Sequence, residues 1–371
     1  MKKLLIFIGL IVVSCNNEHS NDSQTISVAL DNDNIFTQVE DIVSDINILP
    51  LFYPDEVILS SDNLIKADDN VIIFVDRLHS KKIHIFNKDG RYRATIAAEG
   101  RGPGEYIDMA STQIVDNMIM VYSYHKKSVL FYDYDGKFVS QCELSHIPYN
   151  ILKVDNGYWG YMGYGNGQME ERVVKMDTEG EIVQKLLPSD AKIFPMTEVE
   201  DIFVPSKFGI LLRETFSNSI YVIKDAEAEL FLNFDFGKYS IPDNYYGYSS
   251  PMKAAESLLQ TDFVTINQVY VNNNIIAMYI VCNVNSNPDK AFDALIYNCG
   301  TRWQSVKVAN GDSLLYKSLK GITPNDELLL LVDEERVKEI ADKYPSLLST
   351  DKIEYTKDDK QHIVLCKLKY L

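Results

Sequence analysis

Basic residues are in short supply. The 371-residue chain carries 36 Lys and Arg against 53 Asp and Glu, a formal net charge of −17, and no Lys/Arg-rich run. Sequence-independent nucleic-acid binding draws on clustered cations, so DNA, RNA and anionic membrane surfaces are set aside as partners. Cysteine is scarce too: there are five, with no Cys-x-x-Cys spacing of the kind that holds zinc or does redox work. Beyond residue 13 no apolar stretch approaches a membrane span. The common catalytic signatures are missing: no His-Glu-x-x-His, no Gly-x-Ser-x-Gly elbow, no Walker loop and no EF-hand loop. Gly100-Arg-Gly102 is not a dinucleotide fingerprint, because Pro103 follows and no helix starts there. With 53 acidic residues, a pair of carboxylates proves nothing about acid–base catalysis. No catalytic residue, cofactor or metal site is expected.

What is present first is an address. Lys2 and Lys3 precede an apolar run over residues 4–13, too short to span a bilayer and suited to a secretory signal. The run ends Val12-Val13-Ser14-Cys15, which resembles a bacterial lipobox and implies cleavage before Cys15 and its lipidation. A plain signal peptide with a chance cysteine is the bland alternative. The expected organisation is a lipoprotein signal over 1–14, a lipid-anchored polar tether over 15–25, and one domain over 26–371. Several acyl chains anchor stably where one does not. The predicted location is the outer membrane of an exporting cell. Its periplasmic or surface face is left open, with the lack of a dense acidic cluster after Cys15 favouring the periplasmic side. Cys142, Cys282, Cys299 and Cys366 remain in a disulfide-permissive compartment. A hairpin turning near Pro288 would put Cys282 opposite about position 294 and out of register with Cys299, which favours buried free thiols.

The domain itself reads as hairpins. Residues 70–106 hold three short strands rich in Val, Ile, Phe and Tyr, bounded by turn residues. An apolar run, an Asp/Asn turn and a second apolar run occur at 64–74, 113–121, 152–159, 202–212, 269–277 and 320–330. Asn70 and Asn117 are 47 residues apart, and Asn117 and Asn156 are 39 apart, which brackets the period of four-stranded propeller blades. Asp89-Gly90, Asp135-Gly136 and Glu179-Gly180 recur as a second turn, where Gly accepts the positive φ that such hairpins need. A run of hairpins also builds a β-sandwich, but six copies with a shared second turn favour the propeller. The sixth blade looks one strand short, and residues 46–52 are predicted to supply it, closing the ring and hiding an edge. Helical insertions are expected at 251–261 and 334–344. The prediction is all-β: a six-bladed propeller of four-stranded antiparallel blades.

With these blades and the Gly-Arg-Gly-Pro-Gly-Glu-Tyr loop at 100–106, the chain resembles the six-bladed β-propeller lipoproteins of gut-type Gram-negative bacteria, relatives of the NHL-repeat propellers. The last strand, Leu365-Cys-Lys-Leu-Lys369, also looks like that family's C-terminus. Two features depart from the pattern: Pro205-Ser-Lys-Phe208 replaces the fourth Asp-Asn turn, and an Asn-rich connection follows at 283–287. The resemblance implies fold and address but no reaction.

In a propeller the inner strands line an axial channel, and the loops around its mouth are the natural carriers of binding residues. On that geometry the candidate ligand-binding residues are Arg77, His79, Arg101, Glu105, Tyr106, Tyr124, His125 and Arg213. Guanidinium groups pair bidentately with carboxylate, uronate or sulfate, and Tyr106 and Tyr124 offer faces for sugar rings. The structural alternative is that Arg101 and Glu105 pin their loop while its glycines supply backbone freedom. Taken singly, His79 and His125 read more readily as ordinary solvated loop histidines than as ligands. The expected function is a non-catalytic, lipid-anchored binding or scaffold propeller for an envelope glycan, peptide or protein. The alternative is a glycan lyase or hydrolase built from the same charged groups.

Overall fold

The computed structural model describes residues 24–28, 30, 42–163, 170–188, 201–225, 227–248, 250–298, 303–308, 318–349 and 360–369. The signal, Cys15, most of the tether and Cys299 lie outside them. Six four-stranded antiparallel sheets form a ring. Blade 1 contains Leu64–Ala67, Val71–Asp76, Lys82–Asn87 and Tyr92–Ile96, each paired with the next. Blades 2 to 5 repeat that order from Ser111–Val115, Asn150–Val154, Phe203–Ser206 and Phe263–Val271 as their innermost strands. Blade 6 has Leu319–Ile322, Glu327–Asp333 and Gln361–Leu368, and its outer strand is the N-terminal Val43–Leu49.

The sequence pattern explains the layering. Second strands lie between two neighbouring blades and are mostly apolar: Val71–Asp76 and Gly157–Tyr161 are buried at every position. Outer strands meet water on one face, so Phe138–Glu143 and Ile182–Pro188 stay largely exposed. There is no single core. Six apolar clusters sit one between each adjacent pair of blades, for instance Val75, Ile85, Tyr106, Val121 and Leu130 between blades 1 and 2. The cluster of Leu51, Phe74, Phe86, Leu331 and Ile363 joins blade 6 back to blade 1 and closes the circle.

The closing strand lies three residues earlier than the 46–52 expected, with Ile46 opposite Cys366 and Ile48 opposite Val364. Pro50 ends it, lacking the N–H to continue the ladder, and Phe52 then exchanges backbone hydrogen bonds with Gly90 and Tyr92 of blade 1. Gly90, at φ +81°, is placed in that turn against Pro50, whose carbonyl oxygen would lie 2.2 Å from a Cβ. Blade 4 carries an addition: Gln24–Ser27 pairs in parallel with Glu227–Asp235 as a fifth, outermost strand. Both insertions are helices, Pro251–Leu259 capped by Ser250 and Glu334–Lys343 capped by Asp333. Cys142 and Cys366 are free thiols, and Cys282 is buried opposite Phe292.

Candidate functional site

The innermost strands are mostly apolar, and they interrupt that pattern with polar residues that line the ring axis. Lys66, Gln113, Lys153, Tyr270 and Lys320 come from blades 1, 2, 3, 5 and 6. Together with residues of blade 4 they line an axial cavity of about 510 Å³, to which all six inner strands contribute. A second cavity of about 650 Å³ adjoins it, reaching the blade-to-blade link at Ser61 and Asp62 and running over blades 5, 6 and 1. Ile65, Asp201, Tyr270 and Lys320 line both, so the two meet there. Volumes of this order suit small ligands, which are held by a few placed polar groups on an apolar wall.

At that junction Lys66 Nζ lies 2.6 Å from Asp201 Oδ1. Lys320 Nζ donates to the carbonyl of Ser61; burial pulls its pKa down, while Asp62 opposes the shift. Burial pushes the Tyr270 hydroxyl up, and the Asp201 carboxylate adds to that shift, so the phenol stays a hydrogen-bond donor. In the second cavity Tyr279 donates to the Asp293 carboxylate. Gln113 spans neighbouring inner strands, with Nε2 donating to the Ile151 carbonyl at 2.8 Å and Oε1 accepting the Lys153 N–H at 3.0 Å.

None of the eight residues predicted from the mouth loops lines either cavity. His79 reaches the rim of the second cavity, its Nε2 3.7 Å from Asp62. Arg77 is half-buried in the same loop. Arg213 is not on an exposed loop at all. It ends the strand Gly209–Arg213, is 1% exposed, and donates from Nη1 to the Ile266 carbonyl at 2.9 Å. Its Nε and Nη2 find no acceptor among the described residues. Burial pulls its pKa down to about 10, opposed by Asp201, Tyr270 and Tyr161. Next to it Glu214 forms a buried ion pair with Arg172 and accepts from the Tyr161 hydroxyl at 3.0 Å.

The 100–106 loop is a self-contained clasp between blades 1 and 2. The Glu105 carboxylate accepts the Gly102 N–H at 2.7 Å and would lie 2.1 Å from any Cβ placed on Gly100. Tyr106 is fully buried, and its hydroxyl donates to the Lys81 carbonyl at 2.7 Å. Lys126 Nζ donates to the carbonyls of Gly102 and Glu105, each at 2.6 Å. Arg101 is exposed. On blade 2, Tyr124 stacks on Tyr149 at 5.3 Å between ring centres, and His125 Nδ1 lies 2.8 Å from Asp108 Oδ2. The axial residues carried a signal that was passed over: Lys66, Lys153 and Lys320 interrupt the first apolar run of the same hairpin repeats that count the blades.

Fold and cavity together define a six-bladed propeller with a polar axial channel. Residues 23–367 match the model of the family described as Domain of unknown function (DUF4934), and the chain belongs to that family. No curated protein matches it. Among solved structures it is similar to a Bacteroides fragilis protein described as exported, at TM-score 0.72 and 17% identity, over 93% of this chain and 99% of that one. It is also similar to a DUF4221 family member from Bacteroides vulgatus, at TM-score 0.53 and 12% identity, over 88% of this chain and 97% of that one. At such identities the likeness is one of fold.

Proposed function

We propose that this chain is an exported, lipid-anchored propeller of the cell envelope that binds a polar ligand in its axial cavities without turning it over. One observation carries the reading: a chain of net charge −17 gives three of its six inner strands a lysine that lines one cavity. Random placement on so acidic a surface would not concentrate cations there. The leader over residues 4–13, the Ser14-Cys15 pair, and the similar fold of a B. fragilis protein described as exported support the address. They also suit membership of the NHL-like lipoprotein propellers. His79 would stand at the rim of the entrance; Arg101 and the clasp behind it would serve blade packing.

A second reading, a propeller-fold glycan lyase or hydrolase, has one observation in its favour. Asp108 holds His125 by Nδ1, which leaves the exposed ring's Nε2 available as a general base. The two readings separate in one experiment on the full chain in detergent, titrated with acidic and neutral glycans and short peptides while product is followed. Binding without turnover, lost on Lys66→Ala with Lys320→Ala, supports the first. Turnover lost on His125→Ala supports the second. A broad panel showing neither sinks both.

A further inference from the structure

Blades 1 and 4 face each other across a six-membered ring. Lys66 belongs to the inner strand of blade 1 and Asp201 stands just before the first strand of blade 4, yet their charged atoms are 2.6 Å apart. An ion pair therefore crosses the axis. Lys66 lines the first cavity, whereas Asp201 lines both, so the pair forms a partition where they meet. Its side chains keep 20% and 37% of their surface in contact with water. A partly hydrated pair of that kind is held only weakly, and a competing group can replace either partner at small cost.

The surroundings favour replacement of the acid. Lys320, on the wall common to both cavities, has a backbone carbonyl as its acceptor rather than a carboxylate. The Tyr270 hydroxyl shares that wall. Arg213 is near enough to feel the charge of Asp201, and its Nε and Nη2 have no acceptor among the described residues. A displaced Asp201 thus keeps a second cation within electrostatic reach. We propose that Asp201 is an internal stand-in for a ligand carboxylate, and that the junction binds a small carboxylate-bearing molecule which displaces Asp201 from Lys66 and adds Lys320 and the Tyr270 hydroxyl as partners. This deepens the channel-binding reading and rests on it.

A carboxylate of suitable size could belong to an acidic sugar or to a peptide terminus, and paired probes distinguish them. The full chain in detergent is titrated by calorimetry with galacturonate against galactose, and with N-acetyl-trialanine acid against N-acetyl-trialanine amide. The acid of one pair binds, and its neutral counterpart does not; which pair responds identifies the source. Asp201→Asn removes the internal competitor and tightens the acid about tenfold, while Lys320→Met weakens it about tenfold, the scale of one charge-assisted hydrogen bond. Should Asp201→Asn melt early, Lys66→Met takes its place and must weaken the acid. Unchanged or weaker acid binding by a folded Asp201→Asn variant overturns the proposal. A neutral probe that binds as well as its acid overturns the carboxylate inference and leaves the channel reading intact. Silence from all four probes, in wild type and Asp201→Asn alike, also overturns it, and the wider panel above then decides the channel reading separately.

Discussion

His84 shows how a single residue sets a condition on the whole fold. It sits in Lys82–Asn87 at 3% exposure, with Nδ1 2.8 Å from the Thr95 hydroxyl. Burial, helped by Lys82 and opposed by Asp76, pulls its pKa from 6.5 down to about 4. His362 moves the same way, lowered by burial against the pull of Glu334, while its Nδ1 accepts the Leu51 N–H at 3.4 Å. Both imidazoles are therefore neutral in the fold at pH values where the unfolded chain is already protonated. Their stabilising effect is complete above the unfolded value of 6.5 and is lost as pH falls towards the folded one. For His84 alone the loss at pH 5 is about 2 kcal/mol. Thermal unfolding followed by circular dichroism should show the midpoint falling between pH 7 and pH 5, with a shallower slope in His84→Gln. An unchanged slope in that variant would remove His84 from the account.

The 100–106 loop is the clearest case of an element whose sequence marks it without saying what it is for. Three glycines, an arginine, a glutamate and a tyrosine read as a clasp or as a binding loop; the distances show how the clasp is made. Gly104 has φ +71°, and a Cβ there would lie 2.8 Å from the Phe138 ring. Gly104→Ala should cost about 1–3 kcal/mol, from left-handed strain and the contact together. Arg101→Ala should stay within about 0.5 kcal/mol, as exposed substitutions do. Denaturant midpoints measure both, and a large loss at Arg101 with little at Gly104 would reverse the assignment. Hairpins were legible because an Asp or Asn turn between apolar runs is a local signal, and so was the missing strand of blade 6. The strand Gln24–Ser27 was not placed, since pairing in parallel beside Glu227–Asp235 uses no turn that a sequence displays. Arg213 was misplaced for a related reason: whether a strand ends before or after one residue decides between a loop in water and a buried guanidinium.

At the scale of the whole molecule, closure explains why the site was harder to read than the fold. The polar residues of the inner strands are of little note alone, and only the ring brings Lys66 of blade 1 to Asp201 beside blade 4. The same ring fixes how an anchor would present it. With Cys15 acylated as proposed, residues 16–23 are all that separate the lipid from Gln24, and eight extended residues reach at most about 30 Å. Gln24–Ser27 lies on the outer edge of blade 4, so that edge is held near the bilayer while blade 1, across the axis, is carried away from it. The channel axis then runs roughly along the membrane rather than into it, leaving its mouths accessible from the side. Lys224 ends the third strand of blade 4 and Lys88 opens the turn after the third strand of blade 1, and both are exposed. Fluorophores placed by Lys224→Cys or Lys88→Cys, each in a Cys142→Ser background, should respond differently to a lipid-embedded quencher. Stronger quenching at 224 in membranes, vanishing when Cys15→Ala releases the chain into the soluble fraction, is the expected result. Equal quenching at the two positions would mean that the tether does not hold blade 4 to the surface.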